Sequence, residues 1–548
     1  MSPGELGLRR ADWRLLLPTP AGGQFRHLVL LGGPAGLDRE LMGLGTAAQV
    51  STTLPETNQA DALVILRGAR TPLSRAIRCL GADGVVYWEI ERRSWAGVAR
   101  GRWWIGRQLR KAGLDPYASY WVIPDFQNAR RYLPVDHPHA VEWFFATRFL
   151  ASTPARVFLE HSVRWLQRRH LGMLASWVPA RAVVAGRAGR TPTAFTALAI
   201  PGLPDALGEP SIRPVLITSG QDDGSRVAVL PFREGAREPE VVIKLARLAG
   251  FVGHTEREQA TLLKLRAALP PDLRGSLPEP EGRVGSPTNP AFLERAVPGG
   301  MLAASTGRWR ATLARQVEDL QLAVNWLISF HRSTLVRRLP WSAAEFDRLI
   351  EPSLRRYERT FVVDPLVERL FARVRSEAGT LAGQHLPIVW CHNDFNPWHV
   401  YLAGSRISVI DWEFVGEDVT ARQGPALCDL VYFLVSWVYL ARGLRGTKAE
   451  NRGFTELFVV NSGGDPRSLA ARRALQDYVT ELDMHPGFAP LLTVFTWTDR
   501  AVDWHQRQVA AGASHAWALS ANPFTRYVRL LASGCDELFE RSAAGPES

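Results

Sequence analysis

The chain has 548 residues, of which 46% are apolar and 22% charged. These are ordinary values for a globular protein able to bury a sizeable core, and the length sets a soft prior of roughly three to four domains. Four scattered cysteines (Cys79, Cys391, Cys428 and Cys535) form no CxxC pair. This excludes a cysteine zinc site and sets the expectation of reduced thiols in a cytoplasmic setting.

The net charge of +11 is uneven. Residues 1–190 carry 26 Arg+Lys against 14 Asp+Glu, whereas residues 191–548 carry 39 against 40. A basic N-terminal third could face an anionic partner: a lipid headgroup, a glycan or nucleic acid. Lysine occurs only at Lys111, Lys244, Lys264 and Lys448, so the arginine bias also reads as compositional. Met1–Asp12 has no apolar stretch, and no secretory signal is expected. The most apolar run, Leu430–Ala441, falls short of the ~20 residues of a membrane span. It reads as a buried helix, and no transmembrane segment is expected.

Residues 1–135 alternate strand-like and helix-like runs. His27–Leu31, Ala60–Leu66 and Gly84–Ile90 read as buried strands, and Leu37–Leu44 and Thr71–Leu80 as helices. The alternation predicts a parallel α/β sheet. The layout is similar to a class I methyltransferase or another Rossmann-like domain. However, Gly32-Gly33-Pro34-Ala35-Gly36 lacks the alternating glycines of a nucleotide turn, and Pro34 removes a backbone donor. The strand near Ala47–Ser51 ends without a carboxylate to hold a ribose. The expectation for 1–190 is therefore a degenerate, non-catalytic Rossmann-like domain, with trailing helices at Val141–Leu150 and Arg156–His170. Arg102–Ala112 interleaves basic residues with Trp103 and Trp104. It reads either as a contact surface for sugars, nucleic acid or lipid headgroups or as an amphipathic helix packed on the sheet. Val183–Pro204, rich in Gly and Pro, reads as a domain boundary.

From about residue 211 the pattern becomes antiparallel. Pro214–Ser219 and Arg226–Phe232 flank the turn Gly220-Gln221-Asp222-Asp223-Gly224-Ser225, and Glu240–Ala246 carries Lys244. A helix beginning near Thr255 places Glu258 in register with Leu262 and Leu265; Glu256 is its nearby competitor. Ala291–Arg295 ends a strand before Pro298-Gly299-Gly300 permits a bend. Glu318–Ser333 reads as a helix ending in Phe330-His331, with His331 structural rather than catalytic. Then Pro387–Cys391 leads into His392-Asn393-Asp394, and Ile407–Ile410 leads into Asp411-Trp412-Glu413. Two carboxylates thus stand at the ends of neighbouring strands. Phosphoryl transfer uses such a pair, one to orient the acceptor hydroxyl and take its proton, the other to hold a metal ion on the nucleotide phosphates.

His-x-Asp followed by Ile-Asp-Trp-Glu resembles the aminoglycoside phosphotransferase and choline kinase family, relatives of the protein kinases. The resemblance spans about residues 210–540. It implies an α+β bilobal kinase-like domain, with an N-lobe at 191–290 and a helical C-lobe at 291–548. By the same resemblance Asp394 is the catalytic base and Asp411 binds Mg²⁺. Lys244 holds the phosphates of ATP or GTP and is fixed by Glu258. Gly220 and Gly224 lie over the phosphates, and Glu294 lies in the nucleotide-binding hinge. Asp429 is expected to cap its helix and brace the loop, and His392 to support the loop through hydrogen bonds. In the kinase pattern an Asn, a second metal ligand, stands five residues after the catalytic Asp; here that position is His399, and Asn396 is too close in register to replace it. Imidazole is a poorer partner than an amide oxygen for Mg²⁺. The implied activity is transfer of a γ-phosphoryl group to a small-molecule hydroxyl, on an aminoglycoside, sugar, amino alcohol or glycan intermediate. Two alternatives stand beside it: a nucleotide-binding pseudokinase with a regulatory role, and a methyltransferase–kinase fusion.

Overall fold

The computed structural model describes residues 9–543 apart from 19–22, 56–58, 92–100, 170–177, 190–202, 204–206, 208–211, 219–224, 287–288, 413–422, 461–463 and 511. The chain forms two compact units. One comprises residues 1–146, 158–259 and 279–296, the other residues 147–157, 260–278 and 297–548.

The first unit is built on one sheet of twelve strands. In chain order these are β1 (Phe25–Leu31), β2 (Ala47–Ser51), β3 (Ala60–Ile65), β4 (Leu80–Glu91), β5 (Leu114–Ile123), β6 (Arg131–Pro134), β7 (Ala180–Arg187), β8 (Ile212–Ile217), β9 (Arg226–Arg233), β10 (Val241–Ala246), β11 (Pro280–Ser286) and β12 (Asn289–Arg295). Their spatial order is β11-β12-β10-β9-β8-β6-β5-β7-β4-β3-β1-β2. Among the described residues, only β2, β1, β3 and β4 are mutually parallel. The expected all-parallel sheet stops there. β5 and β6 are joined by a short connection, which allows only antiparallel pairing, and β7 inserts antiparallel between β4 and β5.

Two readings need correction. Val183–Arg187, assigned to a boundary, lies in β7, a buried strand at the middle of the sheet. Its run of small apolar residues fits burial on both faces. The strands expected in a separate N-lobe also continue the same sheet. β8 pairs with β6 through Arg131↔Ile217 and Tyr132↔Leu216, and the Thr218 N–H donates to the Arg130 carbonyl at 2.8 Å.

The N-terminal segment stitches this sheet together. Trp13, Leu16 and Leu17 are buried in the core. Arg10 pairs with Glu89 at the end of β4 at 2.5 Å, and Asp12 pairs with Arg247, just beyond β10, at 2.9 Å. Arginines of the basic third are thus spent inside the unit: Arg181 donates to Ser119 and Arg187 to the Leu80 carbonyl. On the helix Gly101–Lys111, Ile105 and Leu109 are buried, and Trp104 lies beside Trp88. The helix packs through Ile105 and Leu109, while Trp104 remains exposed.

The second unit is mostly helical. Its strands are β13 (Gly300–Met301), β14 (Arg337–Pro340), β15 (His385–Trp390), β16 (Val400–Ala403), β17 (Arg406–Val409) and β18 (Gln423–Pro425). Helices at Leu313–Ser333, Leu427–Arg442 and Phe488–Ala510 enclose an aromatic-rich core. A helix at Val252–Ala268 lies between β10 and β11 in the chain. Among the described residues no helix is long and apolar enough to cross a membrane; the run around Leu430 is the buried helix Leu427–Arg442.

Candidate active site

In the first unit, β10 alternates strictly. Val241, Ile243 and Leu245 enter the core shared with the N-terminal strands, so Lys244 must point to the other face. Register puts partners on that face: Lys244 stands opposite Phe292 on β12, with Glu294 diagonal to it, and Arg226 on β9 opposite Ala246. The helix Val252–Ala268 supplies Glu258, which is fully buried. Lys244 Nζ lies 2.6 Å from Glu258 and 2.9 Å from Glu294, and Arg226 also pairs with Glu258. The cluster holds two cations and two carboxylates, the balance that burial of charge requires. Glu256, the competitor, instead sits on the surface 3.7 Å from Arg283. The helix begins at Val252, three residues earlier than read. Gly220 and Gly224 lie outside the described residues. A cavity of about 470 Å³, lined by Pro231, Arg233, Val241, Leu293 and Arg295 among others, opens on the opposite face of β9, β10 and β12 from Lys244, as the alternation of those strands dictates.

In the second unit, β15 delivers His392-Asn393-Asp394, and β16–β17 form a hairpin that delivers Asp411. Asn393 (φ 63°) and Asp411 (φ 70°) both adopt the left-handed conformation. Non-glycine residues rarely do so except at over-determined, often functional, positions. Their neighbours hold them. Phe395 and Trp412 are buried and pack with Trp326 and Phe330, and the Trp412 indole donates to the Val409 carbonyl. Asp429 accepts the backbone N–H of His392 at 2.6 Å and of Asn393 at 2.7 Å. It braces the loop as read but does not cap its helix, whose N-cap is Ala426 with no side-chain bond. Burial alone would raise the Asp429 pKa; His331 and the loop N–H groups outweigh it and hold the carboxyl below its ordinary value. His331 is buried against Tyr478 and Asp429, a structural placement. His392 accepts the Asp394 N–H at Nδ1 and donates from Nε2 to the Ile410 carbonyl at 3.0 Å. It therefore ties the two strand ends together as a neutral ring, and burial lowers its pKa.

Asp394, His399 and Asp411 converge, with ligand atoms all within 4.8 Å of one another. His399 Nε2 lies 3.2 Å from Asp411 Oδ2, and His399 Nδ1 lies 3.5 Å from Asp394 Oδ2. Asn396 does not join them as a ligand. Its amide donates to the Asp394 carboxylate and carbonyl, and its oxygen accepts the Trp398 N–H. Two neighbours of Asp394 were not foreseen. Tyr432 lies beside it; burial, then the Asp394 charge, push its hydroxyl up to about 12. Arg500 stacks 3.4 Å over the Tyr432 ring and donates to the Asn393 carbonyl. Glu413 lies outside the described residues.

At the N-terminal glycine turn, a Cβ on Gly33 would sit 2.6 Å from Leu66, and one on Gly32 would meet the backbone of Ala69 and Leu66 at 3.1 and 3.2 Å. The turn is packed by its own chain.

Residues 224–458 match the sequence model of a family described as the phosphotransferase enzyme family. Solved structures that match include a glucosamine kinase in complex with glucosamine, ADP and inorganic phosphate (18% identity, 63% of this chain and 78% of that one, TM-score 0.35). Others are a choline/ethanolamine kinase family protein from Mesorhizobium loti (14%, 58% and 88%, 0.35) and a macrolide 2'-phosphotransferase from Brachybacterium faecium (19%, 57% and 92%, 0.30). No curated protein matches the chain.

Proposed function

We propose that the chain is a small-molecule phosphotransferase that moves the γ-phosphoryl group of ATP or GTP to a hydroxyl group, with Asp394 as base; the match of residues 224–458 to the phosphotransferase enzyme family supports this reading. The observation that carries this reading is the convergence of Asp394, His399 and Asp411 at two strand ends inside the matched segment. The acceptor oxygen bonds to the γ-phosphorus, the bond from that phosphorus to the bridging oxygen of the nucleoside diphosphate breaks, and the hydroxyl proton passes to Asp394. Lys244, fixed by Glu258 and Glu294, is the cation for the phosphates. One nitrogen and two carboxylates also fit a divalent cation, held by Asp411 and His399; bound there, it would neutralise charge on the phosphates. The acceptor is a hydroxyl-bearing small molecule of the aminoglycoside, sugar, amino alcohol or glycan-intermediate kind.

Calorimetric binding of ATP, with and without Mg²⁺, tests the proposal on wild type and Asp411→Asn. Metal-dependent binding weakened by the substitution is the expected result. Absence of any nucleotide binding would overturn it. A second reading rests on His399 in place of the kinase Asn: a nucleotide-binding protein without turnover. An acceptor screen separates the two, since phosphate transfer to any small alcohol rules out the second.

A further inference from the structure

We propose that the dication site of this chain is built for a first-row transition ion such as Mn²⁺ rather than for Mg²⁺, and that His399 is the ligand that makes the choice. The inference deepens the reading above and takes the existence of a dication at Asp411 from it.

His399 Nδ1 lies 2.9 Å from the carbonyl oxygen of Asp394. A carbonyl only accepts, so Nδ1 carries the proton. The Asn396 amide, 3.2 Å from the same nitrogen, directs its own protons to the carbonyl and carboxylate of Asp394 and leaves that assignment intact. In the neutral ring Nε2 then bears a lone pair. Nε2 lies 3.2 Å from Asp411 Oδ2, so a nitrogen donor and a carboxylate donor stand close enough to share one cation. A ring whose far N–H is held by a backbone carbonyl is the arrangement by which proteins orient metal-binding histidines.

The backbone reinforces it. The His399 N–H donates to the Asn396 carbonyl, and the Ile410 N–H donates to the His399 carbonyl. The imidazole is therefore pinned to both strand ends, one residue from Asp411. A nitrogen ligand discriminates in a way an amide oxygen does not. Mg²⁺ takes oxygen in strict octahedral geometry and sheds water reluctantly, whereas first-row transition ions gain from imidazole in the Irving–Williams order.

The test uses the full chain and Mn²⁺ as the probe, with Mg²⁺ as competitor, followed by electron paramagnetic resonance. The ratio of Mg²⁺ to Mn²⁺ dissociation constants is expected to fall about tenfold in His399→Asn, the size of effect that a change in the ligand set or its support produces. The spin-echo spectrum of bound Mn²⁺ is expected to show coupling to a nitrogen that disappears in the variant. Protein labelled with ¹⁵N-histidine gives the same readout without a substitution: the coupling must change with the isotope. An unchanged ratio, or bound Mn²⁺ with no histidine nitrogen coupling, overturns the inference. ATP calorimetry on the same samples separates the two claims. Nitrogen-coordinated Mn²⁺ without ATP binding sinks the phosphotransferase reading and leaves the metal assignment standing, and ATP binding without nitrogen coupling does the reverse.

Discussion

Two strand-end turns in this chain reach left-handed backbone by different means. After β1 comes Gly32-Gly33-Pro34-Ala35-Gly36; after β15 comes His392-Asn393-Asp394. The first is rich in glycine, the usual sign of a ligand approaching backbone, and Gly32, Gly33 and Gly36 all have positive φ. Yet the space beside Gly32 and Gly33 is filled by Leu66 and the turn beside it. The second has no glycine and achieves its left-handed residue with Asn393, held by Asp429. What marks a working turn is convergent polar atoms over-determined by their surroundings. Glycine by itself marks only close packing.

The comparison breaks first at Asp394. Asp394→Asn keeps the shape and removes the proposed base, so transfer is expected to fall about 10²- to 10⁴-fold while ATP affinity and thermal midpoint stay near wild type. A variant that loses ATP binding instead would make Asp394 a structural residue like those of the glycine turn. Next in size is the Lys244 cluster. Glu258→Ala leaves Lys244 and Arg226 without a shared buried carboxylate, which costs about 3–5 kcal/mol in urea unfolding. Glu256→Ala, on the surface, should stay within about 0.5 kcal/mol. Equal effects at 256 and 258 would contradict the assignment of partners.

These residues differ in how far sequence could reach them. Lys244 and Glu258 were legible because each sits in a clean period, two for the strand and 3.6 for the helix. Asp394 and Asp411 were legible because short apolar runs end on them. Arg226 and the Glu294 side chain were not, since cross-strand register brings them to Lys244. Tyr432 reaches Asp394 and Arg500 its neighbour Asn393 from helices 38 and 106 residues downstream of Asp394, and no local pattern encodes such contacts. β7 was missed because its Ala-Val-Val-Ala-Gly run leads into a Gly- and Pro-rich stretch. The β6–β8 pairing that joins the N-terminal strands to β8–β12 left no trace, because such pairing is made by backbone.

The glycine turn gives the third prediction. Gly33→Ala places a methyl against Leu66 at φ 96°, and overpacking with an unfavourable backbone costs about 1–3 kcal/mol. Transfer by the folded fraction should be unchanged. A variant with wild-type stability and altered activity would return the turn to the list of ligand sites.

The smallest effect is a pH slope, and its sign is fixed by His392. Both ring nitrogens are committed as a neutral imidazole, one accepting from Asp394 and one donating to Ile410, and burial holds the pKa below 6.5. Above about pH 6.5 neither the folded nor the unfolded state protonates this ring, and its contribution to stability is complete. Below that the unfolded chain takes up a proton that the folded one refuses. Stability should therefore fall as pH drops toward the lowered folded value, by up to about 1.4 kcal/mol per unit. Asp429 does not confuse the window: its carboxyl is depressed below 3.8, so its contribution is lost only in stronger acid. His137 and His505 are lowered too, and they act in the same direction in both proteins. Urea midpoints from pH 5 to 8 for wild type and His392→Gln isolate the difference. The variant should be less stable at pH 8 and show a shallower slope, since it has lost both the hydrogen bonds and the proton that the native loop excludes. Parallel slopes would mean that the ring accepts its proton in place, and the loop at Asp394 would then tolerate a charge that its hydrogen bonds forbid.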